Sequence, residues 1–180
     1  MMQDDFKSRP TRRIFERSEP GEIGPLPRVT KPALIRHLTA VDIDRLKKQV
    51  ERLSETAWEK EDVAKPNNFA CFHHTQHILF RFISENRNAA DYVSYPIWPL
   101  WAPLLKPVMQ AAVAPYNFVR PVFPKAMLAR LLAGGQIDLH RDGAGANLFT
   151  HKIHVPLQTN DGVRFLFQNA EFQMELGEAY

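Results

Sequence analysis

Two residue types that bind metals stand two positions apart in the C-terminal half of the chain, His140 and Asp142, just before Gly143. If this segment is an extended strand, the imidazole and the carboxylate project from the same face. One imidazole and one carboxylate are two of the three protein ligands of a 2-His-1-carboxylate Fe(II) site. The His-x-Asp spacing also occurs often at a strand end followed by a solvated turn. On spacing alone, both interpretations stay open.

The residues around this pair resemble the aspartyl/asparaginyl β-hydroxylase-like family, and bacterial free-proline hydroxylases are similar over the same segment. The resemblance is carried by the runs AMLARLLAGGQIDLHRDG (126–143) and HKIHVPLQTN (151–160), and it is sharpest over residues 127–157. It implies an Fe(II)- and 2-oxoglutarate-dependent dioxygenase. It also implies an α+β fold in which N-terminal helices pack on one sheet of a double-stranded β-helix, or jelly roll.

The resemblance assigns roles to four residues of this sequence. His140 and Asp142 correspond to the first two iron ligands. His154 falls on a position that contacts 2-oxoglutarate in relatives, and Lys152 stands where relatives often carry an arginine. A cationic Lys152, or a protonated His154, would pair with a carboxylate of the keto acid or of a small-molecule or peptide substrate.

The sequence departs from the family pattern at its end. Members of the family carry a second iron-binding histidine a few tens of residues beyond the His-x-Asp pair, and an arginine for 2-oxoglutarate further on. This chain has no histidine after His154 and no arginine after Arg164. We therefore expect a chain truncated before the distal histidine, or one that relies on a ligand from elsewhere.

Composition sets broad bounds on the protein. A length of 180 residues fits one domain, and 44% hydrophobic with 24% charged residues is typical of a soluble globular protein. The net charge of +3 is too small to indicate nucleic acid or an acidic membrane surface. The single cysteine, Cys71, suits a reducing compartment, and the sequence shows neither a secretory signal nor an apolar membrane span. We expect a cytoplasmic protein, with homo-oligomerisation left open.

The first half of the chain is predicted to supply an arm and the helices. Residues 1–32 are polar and then proline-rich, which is typical of an extended, partly disordered arm. Thr39 is predicted to cap a helix with Asp42 in the capping-box position. The apolar stripe of this helix is Ile43, Leu46, Val50, Leu53 and Ala57. Residues 59–68 are predicted as a charged loop, and a further helix is expected from Pro103 to about Ala114.

The second half is predicted to be rich in strands, so that residues 33–180 form one jelly-roll domain that lacks its last strands. Strands are expected at residues 126–132, 136–140 and 149–157, and Phe172, Met174 and Leu176 mark another. In the third strand, Ile153, Val155 and Leu157 should face the core while Lys152 and His154 face the cavity. The run Asn160-Asp161-Gly162 predicts a tight turn.

Two other groups of residues admit a functional and a structural interpretation. Residues 69–82 are predicted as one or two strands that contain His73, His74 and His77, with His73 and His77 on one face. No carboxylate within that segment completes a metal site there, so ordinary strand positions or a substrate contact by His74 or Gln76 are favoured. Trp98 and Trp101 could shape a pocket, but such residues more often fasten a helix to a sheet. His151 is predicted to be structural.

Three functions remain open on the sequence. The first is an iron- and 2-oxoglutarate-dependent hydroxylase of an amino acid, free or as a side chain in a peptide. The second is a catalytically inactive jelly-roll binding module that lacks the third ligand. The third is a cupin-type metal enzyme that does not use 2-oxoglutarate. The first is favoured by the four residues His140, Asp142, Lys152 and His154.

Overall fold

The structure, a computed structural model, describes residues 16–17, 26, 28–63, 65, 69–142, 145–167 and 170–180. Within these residues the fold is α+β, with three α-helices and several antiparallel sheets. The helices are α1 (Asp44–Val50), α2 (Glu55–Val63) and α3 (Trp98–Val113). The α+β class expected from the sequence is confirmed. None of the described helices is long and apolar enough to span a membrane.

A four-stranded antiparallel sheet lies at the centre of the fold, with the strand order β1-β4-β3-β5. Its strands are β1 (Glu16–Arg17), β3 (Thr75–Ile83), β4 (Tyr92–Ser94) and β5 (Ala126–Leu131). In the ladder between β3 and β5, Ile78 pairs with Leu128, and the register shifts between Leu79 and Arg81. Since β3 is hydrogen-bonded on both edges, it is the best-buried strand of the sheet.

Two short ladders complete the described sheet structure. The first joins β2 (Thr39–Ala40) to β8 (Glu178–Ala179), and the second is a hairpin of β6 (Phe165–Phe167) and β7 (Ala170–Phe172). The first ladder is extended by a hydrogen bond from the Val41 N–H to the Gly177 carbonyl oxygen at 2.8 Å. It ties the segment before α1 to residues 177–180.

The hydrophobic core lies between α3 and the central sheet. Ile78 and Phe80 of β3 are buried there, and the ring centroids of Phe80 and Trp101 are 5.4 Å apart. Trp98 and Trp101 belong to the same buried cluster. These tryptophans therefore fasten the helix to the sheet, which was the favoured of their two interpretations.

The first helix differs from its prediction. Thr39 lies in β2 and caps nothing, whereas Asp42 accepts a hydrogen bond from the Asp44 N–H at 3.1 Å. The single helix expected over the apolar stripe is divided into α1 and α2. Ser54 begins the second helix by accepting a hydrogen bond from the Ala57 N–H at 3.2 Å. Serine is far more favourable as a helix cap than inside a helix, which explains the break at this residue.

Two further boundaries differ because tertiary packing outweighs local preference. The charged residues expected in a loop at 59–68 continue α2 as far as Val63. The helix expected from Pro103 begins at Trp98, and Pro103 and Pro107 lie inside it. Interior prolines remove backbone hydrogen bonds. The apolar face of α3 offsets that cost by burying its residues against the sheet at helical spacing. These residues are Trp98, Trp101, Leu105, Val108 and Ala112.

The C-terminal half matches the prediction in part. The first expected strand is β5, and the turn at residues 160–162 is confirmed by a 3.0 Å hydrogen bond from the Val163 N–H to the Asn160 carbonyl oxygen. Residues 136–140 are irregular, so the strand predicted there is wrong. Residues 149–157 are also irregular, although His154 and Tyr180 exchange backbone hydrogen bonds of 2.9 and 3.0 Å. The strand predicted at 172–176 ends with β7 at Phe172.

The apolar side chains around His154 point toward the core as predicted, even though no regular strand forms. Ile153, Val155 and Leu157 pack against the main core, as their alternation predicts. Most of the arm predicted for residues 1–32 lies outside the described residues, but Glu16–Arg17 pairs antiparallel with β4. The chain after residue 126 is thus held by its apolar positions and by a few backbone pairs.

Replacing Phe80 by alanine should lower the free energy of unfolding by about 3 to 5 kcal/mol, because the side chain is fully buried against Trp101 and its removal leaves a cavity. Leu100→Ala, at an exposed position of α3, is the matched control. Leu100 is 79% exposed, and its truncation should change stability by less than about 0.5 kcal/mol. Urea denaturation measures both values, and equal losses would contradict this description of the core.

Candidate functional site

His140 and Asp142 converge, although the segment that carries them is not a strand. The His140 Nε2 and the Asp142 Oδ1 are 3.7 Å apart, and both side chains are partly exposed. The His140 Nδ1 lies 2.8 Å from the Asp138 carbonyl oxygen. Because a carbonyl oxygen can only accept, a neutral His140 ring would carry its hydrogen on Nδ1, and its Nε2 lone pair would then face the carboxylate.

The loop that bears His140 is anchored to β3 by His74. The Gln136 N–H donates a hydrogen bond of 3.1 Å to the His74 Nδ1. Gly135 makes this approach feasible, because a Cβ at that position would lie 2.6 Å from the Cβ of His74. The role of His74 seen here is therefore to position the loop.

Lys152 joins the pair, as the sequence predicts. Its ammonium group forms an ion pair with the Asp142 Oδ2. The two oxygens of Asp142 are thus divided, with Oδ1 toward His140 and Oδ2 toward Lys152. Burial opposes ionisation of Asp142. The hydrogen bond with Lys152 and the positive charges of Lys152 and Lys31, together with that of His140 when its ring is protonated, outweigh that effect and lower the pKa of Asp142. The carboxylate is therefore ionised at neutral pH.

His154 lies near the same group but in a less polar setting. Its ring centroid is 6.0 Å from that of Phe165. Burial, helped by the charge of Lys152, lowers the pKa of His154 to about 4, and the Asp142 carboxylate opposes the shift. His154 is therefore neutral at pH 7, so it can form hydrogen bonds or offer a nitrogen lone pair but carries no positive charge. The cationic role considered for it is not supported.

A second polar cluster, formed by Asp62, Lys65 and His77, lies on the other side of the Phe72 ring from His140. Phe72 makes edge contacts with His140 at 5.1 Å and with His77 at 6.0 Å between ring centroids. Asp62 Oδ1 accepts a hydrogen bond from the His77 N–H at 2.7 Å and pairs with Lys65 Nζ at 2.8 Å. Burial first, and then the charge of Lys65, lower the pKa of His77. His77 is accordingly held neutral beside an ion pair.

This second cluster was missed in the sequence because its carboxylate comes from another element. Asp62 is on α2, and only the packing of α2 against β3 brings it to His77. The expectation that His73 and His77 share a strand face is wrong, since β3 begins at Thr75 and His73 precedes it. Gln76, a candidate substrate contact, accepts a 2.7 Å hydrogen bond from the Arg130 Nε.

His151 and Arg164, which also lie in the C-terminal half of the chain, have structural contacts. His151 packs against Tyr116 and Phe118, with ring centroids 4.5 and 6.1 Å away, in line with the structural role predicted for it. Arg164 pairs with Glu171 across the β6–β7 hairpin at 2.5 Å. Neither residue contacts the candidate ligands in the part of the chain that the structure describes.

The donor set fits part of a facial-triad metal site. A metal-binding histidine usually donates its second N–H to a backbone carbonyl, and a ligating carboxylate is usually hydrogen-bonded through its other oxygen. His140 and Asp142 have these partners in Asp138 and Lys152. Over the described residues, no three side chains of His, Cys, Asp or Glu come together as a metal would require. A facial triad would therefore need a third ligand from outside this set.

Comparison with known proteins adds no family to this geometry. No protein-family model, curated protein or solved structure matches the chain. The function is therefore inferred from its own residues.

The lowered pKa of His154 predicts that the protein becomes less stable as the pH is lowered. The unfolded histidine titrates near its ordinary pKa of about 6.5, whereas the folded one titrates at about 4. Between those values the unfolded state binds more protons, so stability is complete above the unfolded pKa and is lost as pH falls toward 4. The free energy of unfolding should be about 2 kcal/mol lower at pH 5 than at pH 7.5.

Denaturation of His154→Gln at both pH values tests the assignment. The variant should lose most of this pH dependence, although His77 contributes in the same direction because its pKa is also lowered. His73→Gln, at an exposed position, is the control and should follow the parent protein. An unchanged pH slope in His154→Gln would rule out His154 as the group responsible.

Proposed function

We propose that this protein is an Fe(II)- and 2-oxoglutarate-dependent hydroxylase of an amino acid or of an amino-acid side chain. One observation carries the proposal. The Nε2 lone pair of His140 and the Asp142 Oδ1 converge at 3.7 Å, while Asp138 and Lys152 hold the other side of each group. Two electron-pair donors this close together could share a cation between them.

Lys152 and His154 support the choice of an acidic co-substrate. An ammonium group has three N–H donors, so Lys152 can hold the Asp142 Oδ2 and still bind a carboxylate of 2-oxoglutarate. The neutral imidazole of His154 would supply a directional hydrogen bond. When bound, the iron and the keto acid supply the oxidising chemistry, and the chain's own residues orient them and exclude water. The substrate is proposed to be a small molecule or a peptide with a carboxylate.

The double-stranded β-helix belongs to the same proposal. Its support is the series of antiparallel pairings at β5, at the β6–β7 hairpin and between His154 and Tyr180. Within residues 126–142, 145–167 and 170–180 these pairings do not close a jelly roll. Further pairing is therefore part of what we propose for the active protein, together with the third iron ligand and a cytoplasmic location.

A jelly-roll binding module is the second candidate. It is favoured by one observation: only two ligands meet within the described residues, and Asp142 is already neutralised by Lys152. A thermal shift with Fe(II), with and without 2-oxoglutarate, separates the candidates. Stabilisation by iron that the keto acid enhances supports the hydroxylase, and no metal effect supports the module. Stabilisation by metal alone points to a cupin-type metal enzyme.

Replacing His140 or Asp142 by alanine should weaken anaerobic Fe(II) binding by more than about 100-fold and abolish iron-dependent succinate formation from 2-oxoglutarate, since each change removes a ligand. Both side chains are partly exposed, so circular dichroism should show an intact fold. His73→Ala, an exposed histidine outside the site, should bind iron like the parent protein. Retained iron affinity or turnover in either ligand variant contradicts the assignment.

A further inference from the structure

Lys125 is a half-buried cation whose described partners are all neutral. Its ammonium group donates hydrogen bonds to the Asn86 Oδ1 at 2.5 Å and the Asn147 Oδ1 at 3.3 Å. It also lies 5.1 Å from the centroid of the Phe82 ring. No carboxylate of the described residues is within ion-pair distance of it. A desolvated ammonium without an opposite charge is costly, so its retention here requires an explanation.

The backbone that holds Lys125 is locally constrained. Asn86 adopts a left-handed φ of 55°, and the preceding Glu85 a φ of 48°. Consecutive left-handed residues other than glycine are unfavourable, although asparagine tolerates this region better than most. In this backbone conformation the Asn86 amide oxygen accepts the hydrogen bond from Lys125. Gly145 packs directly under this turn, since a Cβ there would lie 2.2 Å from the Asn86 carbonyl oxygen.

Two further lysines approach the same region from different segments. The Val29 N–H donates a hydrogen bond of 3.1 Å to the Leu148 carbonyl oxygen. This bond places the segment that carries Lys31 against the 3-10 turn Gly145–Leu148, which also carries Asn147. Lys152 is fixed by its ion pair with Asp142, and its charge acts on Lys125.

The charges of these groups act on one another. Burial lowers the pKa of Lys125, and the charges of Lys152 and Lys31 lower it further, while the Asp142 carboxylate opposes them. Lys31 and Lys152 also contribute to lowering the pKa of Asp142. Three ammonium groups therefore share one carboxylate within electrostatic range. Since Asp142 is already paired with Lys152 and approached by His140, a positive excess remains beside Lys125.

We propose that Lys125, together with Lys31 and Lys152, forms a binding site for the carboxylate group of a small organic acid. The two asparagine oxygens hold the Lys125 ammonium in place, so little side-chain freedom is lost on binding. The Phe82 ring beside it supplies apolar surface for the hydrocarbon part of the acid. The anion can bind in the absence of iron. Only the source of the carboxylate, co-substrate or substrate, rests on the proposed function.

Titration calorimetry on the full chain, stripped of metal with a chelating resin and dialysed into a buffer free of carboxylates, tests the site without metal. Four probes are used: glutarate, an N-acetylated amino acid, inorganic phosphate and neutral glutaramide. Glutarate is the dicarboxylate that lacks the keto group of 2-oxoglutarate. Glutarate or the acetylated amino acid should bind and glutaramide should not. Tighter binding of glutarate assigns the site to the co-substrate, and tighter binding of the acetylated amino acid assigns it to the substrate. Phosphate as the tightest-binding probe overturns the choice of a carboxylate.

Variants localise the binding. Lys125→Gln should raise the Kd for the bound acid by about tenfold, which is the effect of losing one charge-assisted hydrogen bond. Lys125→Arg keeps the charge and should stay within about threefold of the parent protein. Lys48→Gln, an exposed lysine on α1, is the matched control and should leave the Kd unchanged. If Lys125→Gln does not fold, Lys31→Gln provides the same test, because Lys31 is exposed. The loss of affinity for the acid should then be smaller.

Mass-spectrometric acetylation gives an independent readout. The bound acid should protect Lys125 and Lys31 from acetylation but leave Lys48 reactive. Absence of carboxylate binding, or binding that neither Lys125→Gln nor Lys31→Gln weakens, overturns the proposal. Carboxylate binding that depends on these lysines in a protein that fails to bind Fe(II) supports this site while the hydroxylase proposal fails.

Discussion

The candidate site depends on the ionised carboxylate of Asp142. One of its oxygens faces His140 and the other pairs with Lys152, and its charge opposes the depression of the pKa of both His154 and Lys125. Partial burial strengthens each of these interactions relative to water. Neutralising Asp142 would remove the carboxylate that offsets the charges of Lys31, Lys125 and Lys152. The carboxylate therefore makes this group of lysines compatible with a folded protein.

The scaffold delivers these groups through β3 and its neighbours. One set of β3 residues, including Phe80, is buried against α3, while Phe82 lies beside Lys125 and His77 beside Phe72. The loop with His140 is attached to the start of the same strand through His74. A strand that is hydrogen-bonded on both edges is a rigid support, so the side chains that it carries or contacts are held in position. Irregular segments can then carry the candidate ligands without losing their geometry.

Sequence reasoning succeeded where the signal was local. Alternation of apolar residues predicted the facing of Ile153 and Val155, and the turn after Asn160 follows from Asx and glycine chemistry. It failed where a partner lies far away in the chain. The pairing of Asp62 with His77 and the convergence on Lys125 require contacts between separate elements, which no spacing reveals. The strand predicted at 136–140 failed for a related reason, since alternation needs a neighbouring strand to become a ladder.

The two proposals are linked through charge. Three ammonium groups near Asp142 oppose the binding of a divalent cation at its Oδ1, even though the lone pairs of His140 and Asp142 favour it. An organic acid at Lys125 would remove part of that repulsion, so it should increase the affinity for iron. By thermodynamic reciprocity, bound iron should increase the affinity for the acid by the same factor. A site with an excess of lysines would thus bind metal and acid together more readily than either alone, which is the behaviour that the proposed hydroxylase would need.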